Sequence, residues 1–295
     1  MTGTEHTAGP SRRAAGLAAL DRRWIYLALA AAIAFSIVAR IRFPDTPSPL
    51  AQSAYDRVEA LPPGAPIVMA LDYSPSSRPE LEPMAFAIAR HAMLRGHRLI
   101  LLSTWDTGNA MIARLCAEVL RREFPERREG EAWVALGYKS GNEMLINAIR
   151  QDFGSMYASD MEGRPCADLA GRAGVKSLAD CARIVALSSG TPGLKEWVLF
   201  AGDVTGVPVV GGSTGVGTPE FLPYFPRQIR GLLGGLKGAA EYEAALELGH
   251  PDFHQRTMAA TDGMGPQAVA HSLIVLFIVL GNAGLLLQRR QRRGR

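Results

Sequence analysis

Two apolar segments near the ends of the chain constrain its folding more than any other feature of the sequence. The first covers about residues 24–38 (WIYLALAAAIAFSIV), and the second covers about residues 268–287 (AVAHSLIVLFIVLGNAGLLL). A helix of roughly 20 apolar residues crosses the ~30 Å hydrocarbon core of a bilayer. We therefore predict transmembrane helices at 24–43 and 267–288, with the lipid bilayer as a partner. A cleaved signal peptide is the alternative for the first segment, although its long polar N-region argues against one.

Arginine residues flank both apolar segments on their terminal sides. Arg22 and Arg23 precede the first segment, and the tail QRRQRRGR follows the second. On the other side of the second segment, Arg256 is the only lysine or arginine among residues 250–267. Basic residues favour the cytoplasmic side of a membrane. The sequence thus predicts a bacterial or archaeal cell-membrane protein with two spans, both termini cytoplasmic and the middle domain extracytoplasmic. These flanks explain much of the net charge of +4, so no nucleic-acid partner is expected.

The remaining segments form a tethered domain and its connections. We expect cytoplasmic tails at 1–23 and 289–295, a linker with a short helix at 44–61, an α/β domain at 62–248 and a second linker at 249–266. The prolines of PDTPSP are typical of a linker. About two hundred residues suffice to bury one core.

Five short, continuous apolar runs alternate with helical periodicity inside the middle domain. The runs are PIVMAL (66–71), RLILLS (98–103), AWVALG (132–137), ARIVAL (182–187) and VPVV (207–210). Uninterrupted runs of this length are typical of parallel strands that are buried on both faces. We therefore predict an α/β fold, with a single doubly wound, mainly parallel five-stranded sheet flanked by the N- and C-terminal transmembrane helices.

The loops after the five strands hold the candidate binding residues, because ligands of such sheets bind beyond the carboxyl ends of the strands. These residues are mostly small, hydroxylic or polar, and with the backbone amides they suit an anionic or polar ligand. They are Asp72, Tyr73, Ser74, Trp105, Asp106, Lys139, Ser140, Ser188, Ser189, Gly212, Ser213 and Thr214. The alternative is ordinary helix capping, which the same residue types perform.

No motif in these loops identifies a reaction. The run GGSTGVGT lacks the lysine of a P-loop and the glycine order of a dinucleotide-binding motif. No G-x-S-x-G elbow is present. A serine with Lys139 as its base would make a hydrolase. Asp72 and Asp106 would form an acid pair on neighbouring strands, with helix capping as the alternative. We assign no catalytic residue, and no cofactor is implied.

The three cysteines divide into one buried residue and one candidate pair. Cys116 lies on the apolar face of a predicted helix, which is typical of an inert thiol. Cys166 and Cys181 flank a polar stretch and are a candidate disulfide in an oxidising compartment, although sequence does not show whether they are close enough. Cysteines at these spacings do not form a metal site, and no metal is predicted.

Glycine is concentrated in the segment predicted as the last helix, about 226–248. Gly231, Gly234, Gly235 and Gly238 stand at spacings that permit close approach between helices. Such a surface would serve a homo-oligomer or a contact with another membrane protein. The alternative, which we favour, is that the helix packs on the sheet of its own domain.

Five short motifs stand out along the domain. They are Asp72-Tyr73, LSTW (102–105), LGYKSG (136–141), SGTPG (189–193) with Trp197, and GLLGGLKGAAEYE (231–243), which is the most specific. Over roughly 61–243 the chain resembles a family of uncharacterised prokaryotic two-span membrane proteins with an α/β domain. The resemblance implies a membrane-tethered α/β domain and brings no activity, cofactor or substrate.

These features predict a membrane-anchored protein whose extracytoplasmic α/β domain serves binding or assembly. The lack of a recognisable catalytic motif and the glycine-rich surface favour this role. A membrane-surface hydrolase that uses Ser, Lys and Asp residues of the strand-end loops is the alternative. A sensor of a small anionic solute is a third interpretation.

Overall fold

Six strands form one parallel sheet in the computed structural model, which describes residues 22–42, 46–166, 174–253 and 258–293. The strands are β1 (Pro66–Asp72), β2 (Arg98–Ser103), β3 (Trp133–Tyr138), β4 (Arg183–Ser188), β5 (Val209–Ser213) and β6 (Ile229–Gly234). Their order is β3-β2-β1-β4-β5-β6, and each neighbouring pair is parallel. Strand order therefore reverses between β1 and β4. The predicted α/β fold with a parallel sheet is confirmed.

Helices connect the strands and cover both faces of the sheet, which explains why the strands are apolar without alternation. The helices of the described residues are α1 (Arg22–Val38), α2 (Pro49–Glu59), α3 (Arg78–Leu94), α4 (108–123), α5 (Asn142–Ile149), α6 (194–205), α7 (Thr218–Phe221), α8 (Gly235–Gly249) and α9 (Ala259–Arg293), and those that connect the strands are α3 to α7. Both α4 and α6 contain a π-helical turn, at Cys116–Leu120 and Trp197–Gly202 respectively.

The prediction of five strands is wrong, because β6 lies inside the segment predicted as the last helix. Its sequence IRGLLG is a short apolar run like the other strands, but the helical periodicity of α8 follows it directly. Gly235 has a φ of +57°, which separates the strand from the helix and favours glycine. At Gly231 a Cβ would lie 2.4 Å from the Cα of Ala54 in α2. This glycine therefore lets a helix of the same domain approach the sheet closely.

Of the helices in the described ranges, only α9 is long and apolar enough to cross a membrane. Its segment Ala259–Leu286 meets that requirement, and most of its large apolar side chains are exposed. Because α9 begins at Ala259, the second half of the linker predicted at 249–266 is helical. The first predicted span also forms a helix, α1, but its 17 residues are fewer than the roughly 20 that a span requires. A second span thus stays a prediction.

The chain divides into two compact units, 1–43 with 262–295, and 44–261. In the first unit, Arg42 Nε pairs with Asp262 Oδ1 at 2.6 Å. In the second unit, the buried carboxylate of Glu243 in α8 accepts hydrogen bonds from the amides of Ala260 and Thr261, at 3.2 and 2.9 Å. Glu243 therefore satisfies backbone donors in the first turn of α9.

Candidate functional site

A row of buried polar residues crosses the carboxyl ends of three adjacent strands. Asp72 of β1 stands in register with Ser188 of β4, and Ser188 stands in register with Ser213 of β5. All three side chains are buried. The row crosses from β1 to β4, which is the point where strand order reverses and where ligands of such sheets bind. The topology therefore brings together three of the predicted residues.

Asp72 organises the loops on both sides of β1. The amide of Thr104 donates to Oδ1 at 2.7 Å, and Nε1 of Trp197 donates to Oδ2 at 2.7 Å. Ser103 Oγ lies 3.1 Å from Oδ1. Burial raises the pKa of Asp72 to about 6, although these hydrogen bonds oppose the rise. Both carboxylate oxygens thus tie the loop after β2 and helix α6 to β1.

The loops that follow β1, β2 and β4 are bridged directly at the reversal of strand order. Nε1 of Trp105 donates to the carbonyl of Pro192 at 2.6 Å. The indole ring also packs closely on Gly190, where an added Cβ would lie only 3.2 Å from the ring. Ser77 Oγ donates to Ser189 Oγ at 2.8 Å. The open space at this edge therefore lies one strand further, between the loops after β4 and β5.

A cleft of about 80 Å³ opens between those two loops, and we call it the β4–β5 cleft. Its lining is mainly hydroxyl and backbone groups, with charges of both signs from Lys195, Glu196 and Glu220. The amide of Leu194 donates to Ser188 Oγ at 2.8 Å, which fixes the position of that hydroxyl. Ser189, Ser213 and Thr214 also line the cleft. Such a lining suits a small polar ligand.

Four other predicted residues serve the local structure of the same edge. Tyr73 is buried, and its carbonyl accepts a hydrogen bond from Thr107 Oγ1 at 3.0 Å. The carbonyl of Ser74 accepts the amide of Arg78 at 3.1 Å at the start of α3. Gly212 is buried against Leu187 and Met84. The carbonyl of Thr214 accepts the amide of Thr218 at 2.9 Å at the start of α7, so Thr214 combines capping with a place in the cleft.

The structure does not bring the predicted acid and base residues together. Lys139 and Ser140 are exposed after β3, four strand positions from Ser213, which is roughly 19 Å at the usual strand spacing. Asp106 is exposed, whereas the carboxylate of Asp72 is buried among its own donors. Neither a Ser213–Lys139 pair nor an Asp72–Asp106 pair occurs among the contacts of these described residues.

Cys166 and Cys181 are buried thiols of the hydrophobic core in the structure, rather than a disulfide. Burial raises the pKa of Cys181 and raises that of Cys116 to about 12. A thiol that stays protonated is a poor nucleophile and a poor metal ligand. Cys116 and Cys181 therefore contribute packing rather than chemistry.

A second polar cluster lies at the opposite, amino-terminal edge of the sheet. Glu59 ends α2, His91 lies in the last turn of α3, and His250 follows α8 directly. Glu59 Oε2 lies 2.8 Å from His91 Nε2 and 3.1 Å from His250 Nε2. We call these three residues the Glu59–His91–His250 cluster.

Burial and hydrogen bonding set the ionisation of this cluster. Burial lowers the pKa of His91 to about 4, although its hydrogen bond to Glu59 opposes the change. Burial alone would raise the pKa of Glu59, but the hydrogen bonds from His91 and His250 outweigh it and lower that pKa. A neutral imidazole beside a carboxylate is the state in which both groups bind metal ions.

Sequence reasoning missed the Glu59–His91–His250 cluster for a physical reason. Its contacts span 32 and 191 positions of the chain, so no local spacing marks them. The available signal was indirect, because each residue lies at a helix end that topology places at one edge of the sheet.

No protein-family model matches the chain, and no curated protein sequence is significantly similar to it. The fold and the chemistry of the two sheet edges therefore carry the functional argument. They define a parallel α/β domain joined to a helix that is long and apolar enough to span a bilayer.

Proposed function

We propose that the chain is a membrane-anchored binding protein whose α/β domain holds a small polar ligand in the β4–β5 cleft. The observation that carries this proposal is the in-register row of Asp72, Ser188 and Ser213, which ends at an open cleft one strand from the reversal of strand order. Helix α9 supplies the anchor.

The contacts of the cleft hydroxyls favour binding over catalysis. Ser188 Oγ accepts an amide, and Ser213 Oγ lies 3.1 Å from the hydroxyl of Thr218. A serine nucleophile needs a base within hydrogen-bonding reach, and these partners are not bases. Fixed hydroxyls and amides are sufficient to orient a bound polar molecule. The hydrolase is therefore the weaker interpretation.

The size and charge of the β4–β5 cleft restrict the class of ligand. A cavity needs about 10–15 Å³ of accessible volume to hold one water molecule, so a cleft of about 80 Å³ has room for a small molecule, or a part of one, with several heavy atoms. Lys195 offers a positive charge, and Glu196 and Glu220 offer negative charges, although Glu196 Oε2 already accepts the amide of Gly193 at 2.7 Å. A zwitterion such as a small amino acid matches this mixture of charges better than a simple anion does.

Blocking the cleft with a bulky side chain tests the binding function. Thr214→Trp places an indole in the cleft, and Val216→Trp is the matched control because Val216 is 94% exposed in the same loop. The ligand panel consists of small amino acids, polyols and inorganic phosphate. We expect a small amino acid to raise the Tm of the detergent-solubilised full chain and that of the Val216→Trp control. The Thr214→Trp variant should show no rise.

Two outcomes would contradict the binding function. One is a rise in Tm that persists in Thr214→Trp. The other is a panel without effect on the wild-type chain, together with native mass spectra that show no small molecule bound. A rise caused by phosphate alone would replace the zwitterion with an anion and support the sensor interpretation.

We also propose two spans, with both termini cytoplasmic and the α/β domain outside, as the arginine flanks predict. The engineered thiol of Val216→Cys would be exposed, whereas the native cysteines are buried. A membrane-impermeant maleimide should label this variant in intact cells. Labelling that requires cell lysis would place the domain in the cytoplasm instead.

A further inference from the structure

We propose that the Glu59–His91–His250 cluster is a binding site for a divalent transition-metal ion, with Zn²⁺ as the best fit. The cluster lies at the amino-terminal edge of the sheet and the β4–β5 cleft at the carboxyl edge. The two proposals are therefore independent. One carboxylate and two imidazoles are a ligand set that Zn²⁺ uses in proteins with an open fourth position.

The positions of the three ligand atoms already approach those of a metal site. Glu59 Oε2, His91 Nε2 and His250 Nε2 all lie within 4.8 Å of one another. Ligand atoms at 2.0–2.2 Å from a tetrahedral Zn²⁺ ion are roughly 3.4 Å apart. The two distances to Glu59 Oε2, 2.8 and 3.1 Å, are shorter than this by a few tenths of an ångström, and the two histidine nitrogens lie within 4.8 Å of each other.

His91 is held rigidly with its Nε2 atom toward the other two ligands. Its side chain is fully buried, and its ring stacks on Tyr55 with centroids 4.5 Å apart. Its Nδ1 atom lies 2.8 Å from the hydroxyl of the buried Tyr242. Metal-bound histidines nearly always have such a partner at the second nitrogen, because it fixes the ring and the tautomer.

Metal binding requires one proton to move from Nε2 to Nδ1 in each histidine, and in His91 both nitrogens have defined partners. Without an ion, Nε2–H of His91 donates to Glu59 and Nδ1 accepts from Tyr242. With Zn²⁺ bound, the lone pair of Nε2 coordinates the ion, and Nδ1 carries the proton and donates to the Tyr242 oxygen. The protein thus loses the two hydrogen bonds from His91 and His250 to Glu59 and gains three metal–ligand bonds.

The other two ligands leave a path for the ion and for a fourth ligand. The side chains of Glu59 and His250 are 33% and 21% exposed. A water molecule can therefore complete a tetrahedral shell, as it does in His2Glu sites. His250 directly follows α8, so an ion would join the end of that helix to the ends of α2 and α3.

Arg95 opposes cation binding and restricts the site to one carboxylate oxygen. Its Nε lies 3.4 Å from Glu59 Oε1, whereas both histidines face Oε2. One carboxylate can accept Arg95 on one oxygen and a metal ion on the other. This arrangement predicts monodentate coordination by Glu59.

Zn²⁺ titration of the tag-free full chain in detergent, after dialysis against EDTA, tests the site. We expect one Zn²⁺ ion per chain by calorimetry and by elemental analysis. At a hundredfold excess over Kd, the Tm should rise by roughly 5–10 °C for a domain of this size. Mg²⁺ should have no effect, because it prefers oxygen ligands. Co²⁺ in place of Zn²⁺ should give the intense visible absorption of tetrahedral coordination.

Three variants and one matched control decide whether these residues hold the ion. His250→Gln and Glu59→Gln should each abolish stoichiometric binding, while circular dichroism in EDTA shows a folded chain. Tyr242→Phe should weaken binding about 10- to 100-fold, as loss of an outer hydrogen-bond partner does. The control Asp252→Asn, an exposed carboxylate two positions from His250, should bind like the wild type.

Either of two results would overturn the proposal. The first is a wild-type chain that binds no stoichiometric Zn²⁺ at micromolar free ion. The second is binding that His250→Gln and Glu59→Gln leave unchanged. In both cases the cluster is a hydrogen-bonded junction between helix ends and nothing more.

Discussion

The polar groups at the two edges of the sheet come from different kinds of secondary structure. At the carboxyl edge, the buried groups come from the strands and from the loops directly after them, as in the row of Asp72, Ser188 and Ser213. At the amino edge, Glu59, His91 and His250 come from the ends of three helices. Strand register alone creates the first arrangement, whereas the second depends on how helices pack on the sheet.

This difference determines what each edge can do chemically. The carboxyl edge consists mainly of hydroxyls and amides that are bonded to one another, which suits recognition of a polar molecule. The amino edge concentrates two imidazoles and a carboxylate, which are strong metal ligands. One domain therefore presents two different sets of chemical groups at the two edges of its sheet.

The largest expected loss of stability comes from a substitution that removes the indole bound to Asp72 at the carboxyl edge. Trp197 is fully buried in α6 and donates to Asp72 Oδ2. Trp197→Ala should lower the free energy of unfolding by about 3–5 kcal/mol, because it leaves a cavity and an unpaired carboxylate oxygen. Denaturant unfolding followed by circular dichroism measures the change. Val204→Ala, in the same helix at a residue that is 55% exposed, should change it by less than about 0.5 kcal/mol. Equal losses in the two variants would contradict the role of Trp197.

The second effect concerns pH and again involves the carboxyl edge. The pKa of Asp72 is about 6 in the folded state, against its ordinary value of 3.8. The folded chain therefore takes up this proton first, and its stability rises as pH falls from about 7 to 4. The rise is about 3 kcal/mol for this pKa difference. The Asp72→Asn variant cannot ionise and should lack this rise.

The difference between the wild-type and Asp72→Asn profiles isolates this one group. Glu243 has a raised pKa and acts in the same direction, whereas Asp160 and Asp180 have lowered pKa values and act in the opposite direction. These contributions are common to both chains and cancel. If the stability profiles of the two chains are parallel between pH 4 and pH 7, water solvates the carboxylate of Asp72 more than the structure indicates.

Strand positions were largely predictable, because a parallel sheet leaves a simple pattern in the sequence. The second strand was predicted at 98–103 and occurs at Arg98–Ser103. The sixth strand was not predicted, since its apolar run merges with the periodicity of α8, and only the backbone angle of Gly235 separates them. Local patterns identify elements, but they do not show where one element ends in a continuous apolar segment.

The two sites also differ in how far the sequence predicts them. The residues of the β4–β5 cleft were predictable, because any parallel sheet exposes the loops at its carboxyl edge. The Glu59–His91–His250 cluster was not, because its residues lie 32 and 191 positions apart in the chain and meet only where three helix ends pack together. Such contacts join distant parts of the chain and leave no periodic pattern.

A smaller effect sharpens the role of the loops at the reversal of strand order. Trp105→Phe removes the hydrogen bond from Nε1 to the carbonyl of Pro192 and should cost about 1 kcal/mol. Amide hydrogen exchange should become faster in the loop after β4. The same substitution at Trp24, which is 65% exposed, is the control. Unchanged exchange would show that Trp105 does not hold this loop.

The smallest effect is expected at the amino edge, with a sign opposite to that of Asp72. His97 is buried, and burial lowers its pKa, although a hydrogen bond to the carbonyl of Val58 offsets part of the change. The unfolded chain therefore takes up this proton first, so stability falls as pH falls below about 6.5. His97→Asn should remove the part of that fall that His97 contributes, which is the difference between the two profiles in EDTA, because His91, whose pKa burial also lowers, acts equally in both chains. Two edges with opposite pH dependence would confirm that burial favours the neutral form at both, a carboxylic acid at one edge and an imidazole at the other. A His97→Asn profile parallel to the wild type would show that burial does not lower the pKa of His97.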